Sequence, residues 1–271
     1  MRLRPEKGRL LIPVGERCPL GCTYCYTAFE GFQHQPLDLE TLLREVRELQ
    51  GRHRIRTLQI GYDGDPLASW SRTQDLLEAL LSLEMNLNIQ TKGEPDGPQL
   101  DVLGALASRL EAGGRHLSVL VSMTSWESAP ALEPLAPPPG RRLAGLAALT
   151  ARGIPCFLAL RPLVPGIPGQ EITRILEGAR DAGARGVIPG PLYIHGRWPD
   201  AARLLERSPS DPRWRTLQAA PTSPPWDPQG SRWLRIVSRR AMEAVQEESR
   251  RLGLPVLWSS ARAMDLLEAR P

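Results

Sequence analysis

Six short, β-leaning apolar runs alternate with amphipathic helical patterns over roughly the first two thirds of the chain, and no other feature restricts its fold as tightly. Strands are expected at Arg9–Val14, Arg56–Gly61, Leu87–Thr91, His116–Ser122, Cys156–Leu160 and Gly186–Ile194. Helices are expected between them, at Asp38–Gln50, Arg72–Leu83, Gln99–Ala112, Arg141–Arg152 and Gln170–Ala182. The first places Leu39, Leu42, Leu43, Val46 and Leu49 on one face behind a capping Asp38. Two others stop at Gly153 and Gly183. Strands that alternate with helices form a parallel sheet with right-handed crossovers. The fold class is therefore α/β, a partial (β/α)6 barrel. Function on such a scaffold gathers at the C-terminal ends of the strands.

The alternation fails from His195 to Arg235. Pro221, Pro224, Pro225 and Pro228 crowd this stretch, together with Trp198, Trp214, Trp226 and Trp233 and many arginines. A helix at Ile236–Leu252, a short strand at Pro255–Ser259 and a closing helix at Ala261–Ala269 follow. We divide the chain into a partial-barrel core, 1–194, and an irregular Trp/Arg-rich segment with C-terminal helices packed on it, 195–271. The Trp and Arg side chains suit two roles. They can plug and rim an open barrel, or stack on bases and neutralise phosphates. Net charge is +4, which permits an anionic substrate, nucleic acid included, without demanding one. The arginine bias leaves Lys7 and Lys92 as the only lysines. No apolar run is long enough to span a bilayer and no signal region follows Met1, so a soluble, cytoplasmic protein is expected.

Chemistry enters with Cys18-Pro19-Leu20-Gly21-Cys22-Thr23-Tyr24-Cys25, a C-x3-C-x2-C spacing in the loop after the first strand. Iron–sulfur clusters take closely spaced thiolates, and Pro19 and Gly21 supply the turns. Three thiolates on a cubane leave one iron without a protein ligand, free to bind a cofactor. The same cysteines with His34 also satisfy a structural zinc site. Cys156 lies inside an apolar strand and reads as a small core residue.

This motif, with an aromatic before its last cysteine and a β/α pattern around it, resembles the radical S-adenosylmethionine (SAM) superfamily. Later segments resemble its spore photoproduct lyase-like branch: Gly61-Tyr62-Asp63-Gly64-Asp65-Pro66, Thr91-Lys92, Ser122-Met123-Thr124, the run from Leu132 to Pro137, Arg142-Leu143, Gly153-Ile154-Pro155 and Pro162-Leu163-Val164-Pro165-Gly166. The resemblance covers about residues 9–190. It implies a [4Fe–4S] cluster held by Cys18, Cys22 and Cys25, whose open iron chelates SAM. One electron, from a flavodoxin- or ferredoxin-like donor, then cleaves the sulfonium and starts hydrogen abstraction from a substrate.

Five further residues are implied in cofactor binding. Asp63 and Asp65 can accept from the SAM ammonium, or serve as turn acceptors in a Gly-Tyr-Asp-Gly-Asp-Pro bend. Lys92 can reach the SAM carboxylate. Ser122 can add a hydroxyl or simply end its strand. The Tyr24 backbone lies where relatives contact adenine, and its ring can cover the cluster. Glu133 is a substrate- or cofactor-site candidate, and Arg142 can cap or orient its loop, although a solvated helix residue is the stronger expectation. The chain also departs from the branch. Leu67-Ala68-Ser69 replaces the usual Tyr-Gln-Pro, no cysteine lies between Cys25 and Cys156, and the C-terminal region shows no counterpart of a DNA-separating hairpin. The expectation is a radical SAM enzyme acting on an unidentified metabolite, peptide or nucleotide. Its rival is a non-catalytic, zinc-stabilised nucleic-acid-binding protein.

Overall fold

The protein was analysed as a computed structural model, which describes residues 3, 5–6, 8–28, 38–195, 217–222 and 233–269. A six-stranded sheet runs in sequence order: β1 (Pro5–Glu6), β2 (Arg9–Ile12), β3 (Thr57–Ile60), β4 (Asn86–Thr91), β5 (Leu117–Met123) and β6 (Cys156–Leu160). β1 joins β2 antiparallel, and every later pair is parallel. Helices α1 (Leu39–Arg52), α2 (Trp70–Leu81), α3 (Gly97–Ala112), α5 (Pro139–Ala151) and α6 (Gly169–Asp181) make the crossovers, with the short α4 (Ala129–Leu132) before α5.

Register divides the sheet into two faces, because alternate residues of a strand point opposite ways. Ile12, Ile60, Ile89, Val119 and Cys156 form one row across five strands and join the main core beneath the helices. The neighbouring row, Leu11, Gln59, Asn88 and Ser118, turns to the inside of the curved sheet. Polar groups there bond to one another: Asn88 Nδ2 donates to Ser118 Oγ (2.6 Å) and Gln59 Nε2 to Gln90 Oε1 (3.2 Å). The inside of the sheet is thus polar over β3 and β4, mixed over β5, where Leu120 lies between Ser118 and Ser122, and apolar over β6, where Phe157 and Ala159 lie.

The Asp38 cap and the two glycine stops read from the sequence are in place, and α3 gains a cap that was not read from it. Asp38 accepts from Thr41 N (2.8 Å) at the start of α1. Asp96 and Gln99 close a reciprocal capping box at α3. Gly153 and Gly183 stand at positive φ beyond α5 and α6.

The structure corrects the expected sixth strand. Within Gly186–Ile194, only Val187 pairs with the main sheet, in a single parallel bridge to Leu158, and a second single bridge joins Val187 to Val256. Pro189 and Pro191 lack the N–H a ladder needs, and the chain then turns into β7 (Leu192–His195). β7 belongs to a separate antiparallel sheet with β8 (Leu217–Thr222) and β9 (Trp233–Ser238), in the order β7-β9-β8. The stretch expected to be irregular therefore holds an antiparallel strand pair. The expected helix at Ile236–Leu252 begins instead as strand: Trp233, Ile236 and Val237 favour the pleated surface, and Ser238 caps α7 (Arg239–Arg251) by accepting from Ala241 N (3.2 Å). The expected strand at Pro255–Ser259 reduces to the bridge at Val256. α8 (Ser260–Glu268) follows. Arg239, Arg240, Arg250 and Arg251 lie on an exposed face. No helix among the described residues is long and apolar enough to cross a membrane.

Candidate active site

Where β2 ends, the chain passes over the C-terminal edge of the sheet as the cysteine loop. Gly15 and Gly21 stand at φ +82° and +63°, giving turns that side chains resist. Cys25 N donates to Cys22 O (3.1 Å) and Ala28 N to Cys25 O (3.1 Å). Thr23 N and Oγ1 both donate to Leu132 O, which stitches the loop to α4. The thiols of Cys18, Cys22 and Cys25 are unbridged and half-buried.

All three cysteines line one cavity of about 410 Å³, and Tyr24, Asp63, Asp65, Lys92 and Ser122 line it too. These eight residues come from four consecutive strand ends, which the parallel register brings to one edge.

Both aspartates already have protein donors. Asp63 accepts from Val14 N (2.7 Å) and Gly15 N (3.2 Å) and ties the β3 loop to the start of the cysteine loop. Asp65 Oδ1 accepts from Leu67 N, Ala68 N and Thr91 Oγ1, and Oδ2 from Lys92 N (2.6 Å). The turn role is thus occupied in full at Asp65, which aims Thr91-Lys92 towards the cavity.

Lys92 is the hub of a second network. Its Nζ donates to Ser122 Oγ (2.8 Å), lies 3.5 Å from Glu133 Oε1 and 5.7 Å from the centre of the Tyr24 ring. Glu133 is buried, accepts from the Tyr24 hydroxyl and pairs with Arg142 Nη2 (2.5 Å). Arg142 donates further to Pro137 O (2.6 Å) and Ser122 O (3.1 Å). Arg142 was expected in solvent, yet it is 1% exposed. It sits one turn into α5, where its fork reaches the carbonyls and carboxylate of the preceding loop. Glu133 is a second-layer residue that does not line the cavity among the described residues.

Electrostatics follow from this packing. Burial pushes the Glu133 carboxyl up, but Lys92 and then Arg142 more than reverse it, leaving it below the usual carboxylate range. The Tyr24 hydroxyl is pushed up by burial and by Glu133. Burial raises the Cys18 thiol to about 12, and raises Cys22 less because Lys92 opposes it. The free thiols at Cys18 and Cys22 are therefore protonated at neutral pH, and loading a metal must release those protons.

The donor set fits an iron–sulfur cubane: three unbridged thiols on one turn-rich loop opening onto one cavity. A zinc ion instead needs its ligands within about 2.3 Å of one point. Its fourth ligand would be His34, which lies outside the described residues. Cys156 is fully buried in the core beneath the helices, its thiol raised to about 12 by burial.

Several cavity residues escaped the sequence reading. Arg161, following β6, and Arg9, Gln59, Gln90, Tyr193 and Arg235 also line the space. The usable signal is the period-two alternation within β2 to β6, which points Arg9, Gln59, Gln90 and Arg161 inward. Tyr193 and Arg235 belong to the second sheet, for which the sequence offered no pattern.

Solved structures of known proteins share this fold. A single-substitution mutant of spore photoproduct lyase is 13% identical, with a TM-score of 0.68 over 92% of this chain and 76% of that one. A double mutant of that lyase with bound AdoMet and dinucleoside spore photoproduct gives 0.67 at 13% identity, again over 92% and 76%. SuiB of Streptococcus suis bound to S-adenosylmethionine gives 0.54 at 14% identity over 73% of this chain and 43% of SuiB, so the chain spans less than half of SuiB's length. At such identities these likenesses concern the fold alone. No curated protein matches by sequence. The model of the family described as the Radical SAM superfamily matches residues 12–179, well over half of the chain, and the protein belongs to that superfamily.

Proposed function

We propose that Cys18, Cys22 and Cys25 hold a [4Fe–4S] cluster, and that this superfamily enzyme uses it to cleave SAM reductively and open radical chemistry on a substrate still to be identified. The observation that carries the reading is the single cavity into which three free thiols and the Lys92–Ser122 pair open together. When bound, the cluster and SAM supply the electron and the radical. The chain's own residues do the rest. Lys92, already braced by Ser122 and Glu133, has donors left for the cofactor carboxylate. Asp65 positions Lys92, and Asp63 positions the start of the cysteine loop. The Tyr24 ring, fixed through Glu133 and Thr124, packs beside Cys22.

Residues 1–194 carry the cofactor in this reading, and 195–271 close the cavity, to which β9 adds Arg235 and Val237. An external flavodoxin- or ferredoxin-like protein supplies the electron. The substrate stays open among metabolite, peptide and nucleotide: one similar structure holds a dinucleoside spore photoproduct and another a precursor peptide. Return of hydrogen from a thiol outside the cluster loop is not part of this reading, because Cys156 is sealed in the core.

Anaerobic reconstitution with iron and sulfide tests it. Wild-type protein should turn brown, show a reducible cluster and release the products of SAM cleavage under dithionite. Cys22→Ala should lose both signals. Folded wild-type protein that binds one zinc per chain and leaves SAM intact would overturn the reading in favour of a zinc-stabilised binding protein.

A further inference from the structure

The cavity holds one cation whose work the site described so far does not explain. Four cationic side chains line it among the described residues: Arg9, Lys92, Arg161 and Arg235. Arg9 donates to Gln59 Oε1 (2.7 Å), Ser260 Oγ (2.8 Å) and Glu6 Oε2 (2.6 Å). Lys92 is held by Ser122 and Glu133. Arg235 lies exposed on β9 and bonds to Tyr193. The three lining carboxylates are also taken, Glu6 by Arg9, Asp63 by two backbone amides and Asp65 by four donors.

Arg161 differs. Its Nε and Nη2 are buried and have no hydrogen-bond partner among the described residues. Those two nitrogens form one edge of the guanidinium, the side-on fork that matches the two oxygens of a carboxylate or phosphate. The stem is fixed in place. Arg161 N donates to Met123 O (2.9 Å), and its carbonyl accepts from Ser122 and Thr124 hydroxyls. Gly190 leaves room for the chain to pass: a Cβ there would stand 2.8 Å from Arg161 Cβ and 2.9 Å from its Cδ. Burial and the neighbouring Arg9 pull the guanidinium down to about 10, so it still carries its charge at neutral pH.

A buried charge without a partner is costly, and the half-buried Arg161 lines the cavity rather than a packed core. The electrostatic neighbours of Arg161 are Arg9, Tyr26, Tyr193 and Glu6, whereas Lys92 and Glu133 are the charged neighbours of Cys22 outside the cysteine loop.

We propose that Arg161 is the anchor for an anionic group of the substrate, a carboxylate or a phosphate held side-on by Nε and Nη2, with Arg9 adding charge from the cavity wall. This rests on the radical SAM reading above for the identity of the cavity as a reaction chamber. It narrows the substrate class to molecules that carry such a group at one end while the reacting carbon faces the cofactor.

The test titrates inorganic phosphate and acetate separately into reconstituted wild-type enzyme by calorimetry, at constant ionic strength. The enzyme should bind one of them saturably, and the tighter arm names phosphate or carboxylate as the group. Arg161→Gln should weaken that binding at least about tenfold. Arg161→Lys, which keeps the charge but not the fork, should also weaken it. Gly190→Ala displaces the stem without touching the charge and should act in the same direction, so the test survives if Arg161→Gln fails to fold. Saturable wild-type binding that all three variants retain within about twofold would overturn the proposal, as would the absence of saturable binding of either anion. SAM cleavage by the same wild-type preparation is read in parallel. Its failure beside intact, Arg161-dependent anion binding would sink the radical reading and leave the anion site standing.

Discussion

Glu133 and Arg142 show how much of this site hangs on two buried side chains. Their pairing is sealed from water, at 0% and 1% side-chain exposure; without Arg142 the buried carboxylate keeps Lys92, 3.5 Å away, as its charge partner, and without Glu133 the guanidinium keeps only carbonyls. Arg142→Met should therefore cost up to about 3–5 kcal/mol of unfolding free energy, read from urea denaturation near neutral pH. Glu133→Gln should destabilise in the same direction. The effect has a pH signature. The native Glu133 carboxyl lies below its ordinary value, so its stabilisation is complete above the unfolded pKa of about 4.3 and fades as pH falls through the lower native value. The gap between wild type and Glu133→Gln should accordingly shrink in acid, and a gap that widened there would show that the carboxylate is not the stabilising form. Residue chemistry of this kind was only partly legible in the sequence. Lys92 stood out by rarity and the cysteines by spacing. Arg142 did not, because a helix position one turn from a proline-rich loop looks solvated until that loop folds back over it.

At the scale of elements, the strand ends are set by residues whose freedom the neighbours require. Gly61 follows β3 at φ +104°, and a Cβ would stand 2.3 Å from the Gln90 carbonyl oxygen and 2.9 Å from Pro66. Gly61→Ala thus meets both backbone strain and collision with an adjacent strand, and it should lower stability by more than the ~1–3 kcal/mol of the strained dihedral alone. Gly97→Ala, with nothing within 4 Å at the first turn of α3, should be close to neutral. Thermal unfolding of the pair separates the two cases, and equal effects would mean that the β3 turn can relax. Elements whose local pattern agrees with their tertiary place could be read from the chain: α1 with its Asp38 cap, α3, α5 and α6, and the five parallel strands. The elements that misled are those whose partner is remote. β9 reads as the start of a helix because Ile236 and Val237 continue the periodicity of α7, and only pairing with β7 and β8 decides for strand. The region after Gly186 reads as one strand, but its prolines divide it between two sheets.

Across the whole molecule, the polar inside of the sheet raises the question of what closes the end away from the cysteine loop. α8 does so with two kinds of contact. Ala263, Met264 and Leu267 pack against Leu120, Phe157, Ala159 and Ile188 on the inside of β5, β6 and the following segment. Ser260 reaches the polar row, bonding Gln59 Oε1 (2.5 Å) and accepting from Arg9. On the rim, Arg56 pairs with Asp265 (2.5 Å) and Glu268 (2.7 Å). Geometry alone makes the ion pairs look strong, but Arg56 is 58% exposed, and water screens such pairs to roughly 0–1 kcal/mol. Met264 is 2% exposed, and truncating a buried side chain of that size costs about 2–5 kcal/mol. Burial should therefore dominate: Met264→Ala should lower stability several-fold more than Arg56→Ala in urea unfolding. The order also bears on chemistry, since radical intermediates need water kept from the chamber, and the apolar contacts of α8 are the part of this closure that excludes it. Loosening them should raise SAM cleavage uncoupled from any substrate, whereas loss of the rim pairs should leave it unchanged. If Arg56→Ala proved the more damaging substitution, the closing helix would be held from outside by charge, and the dry plug inferred from its packing would be wrong.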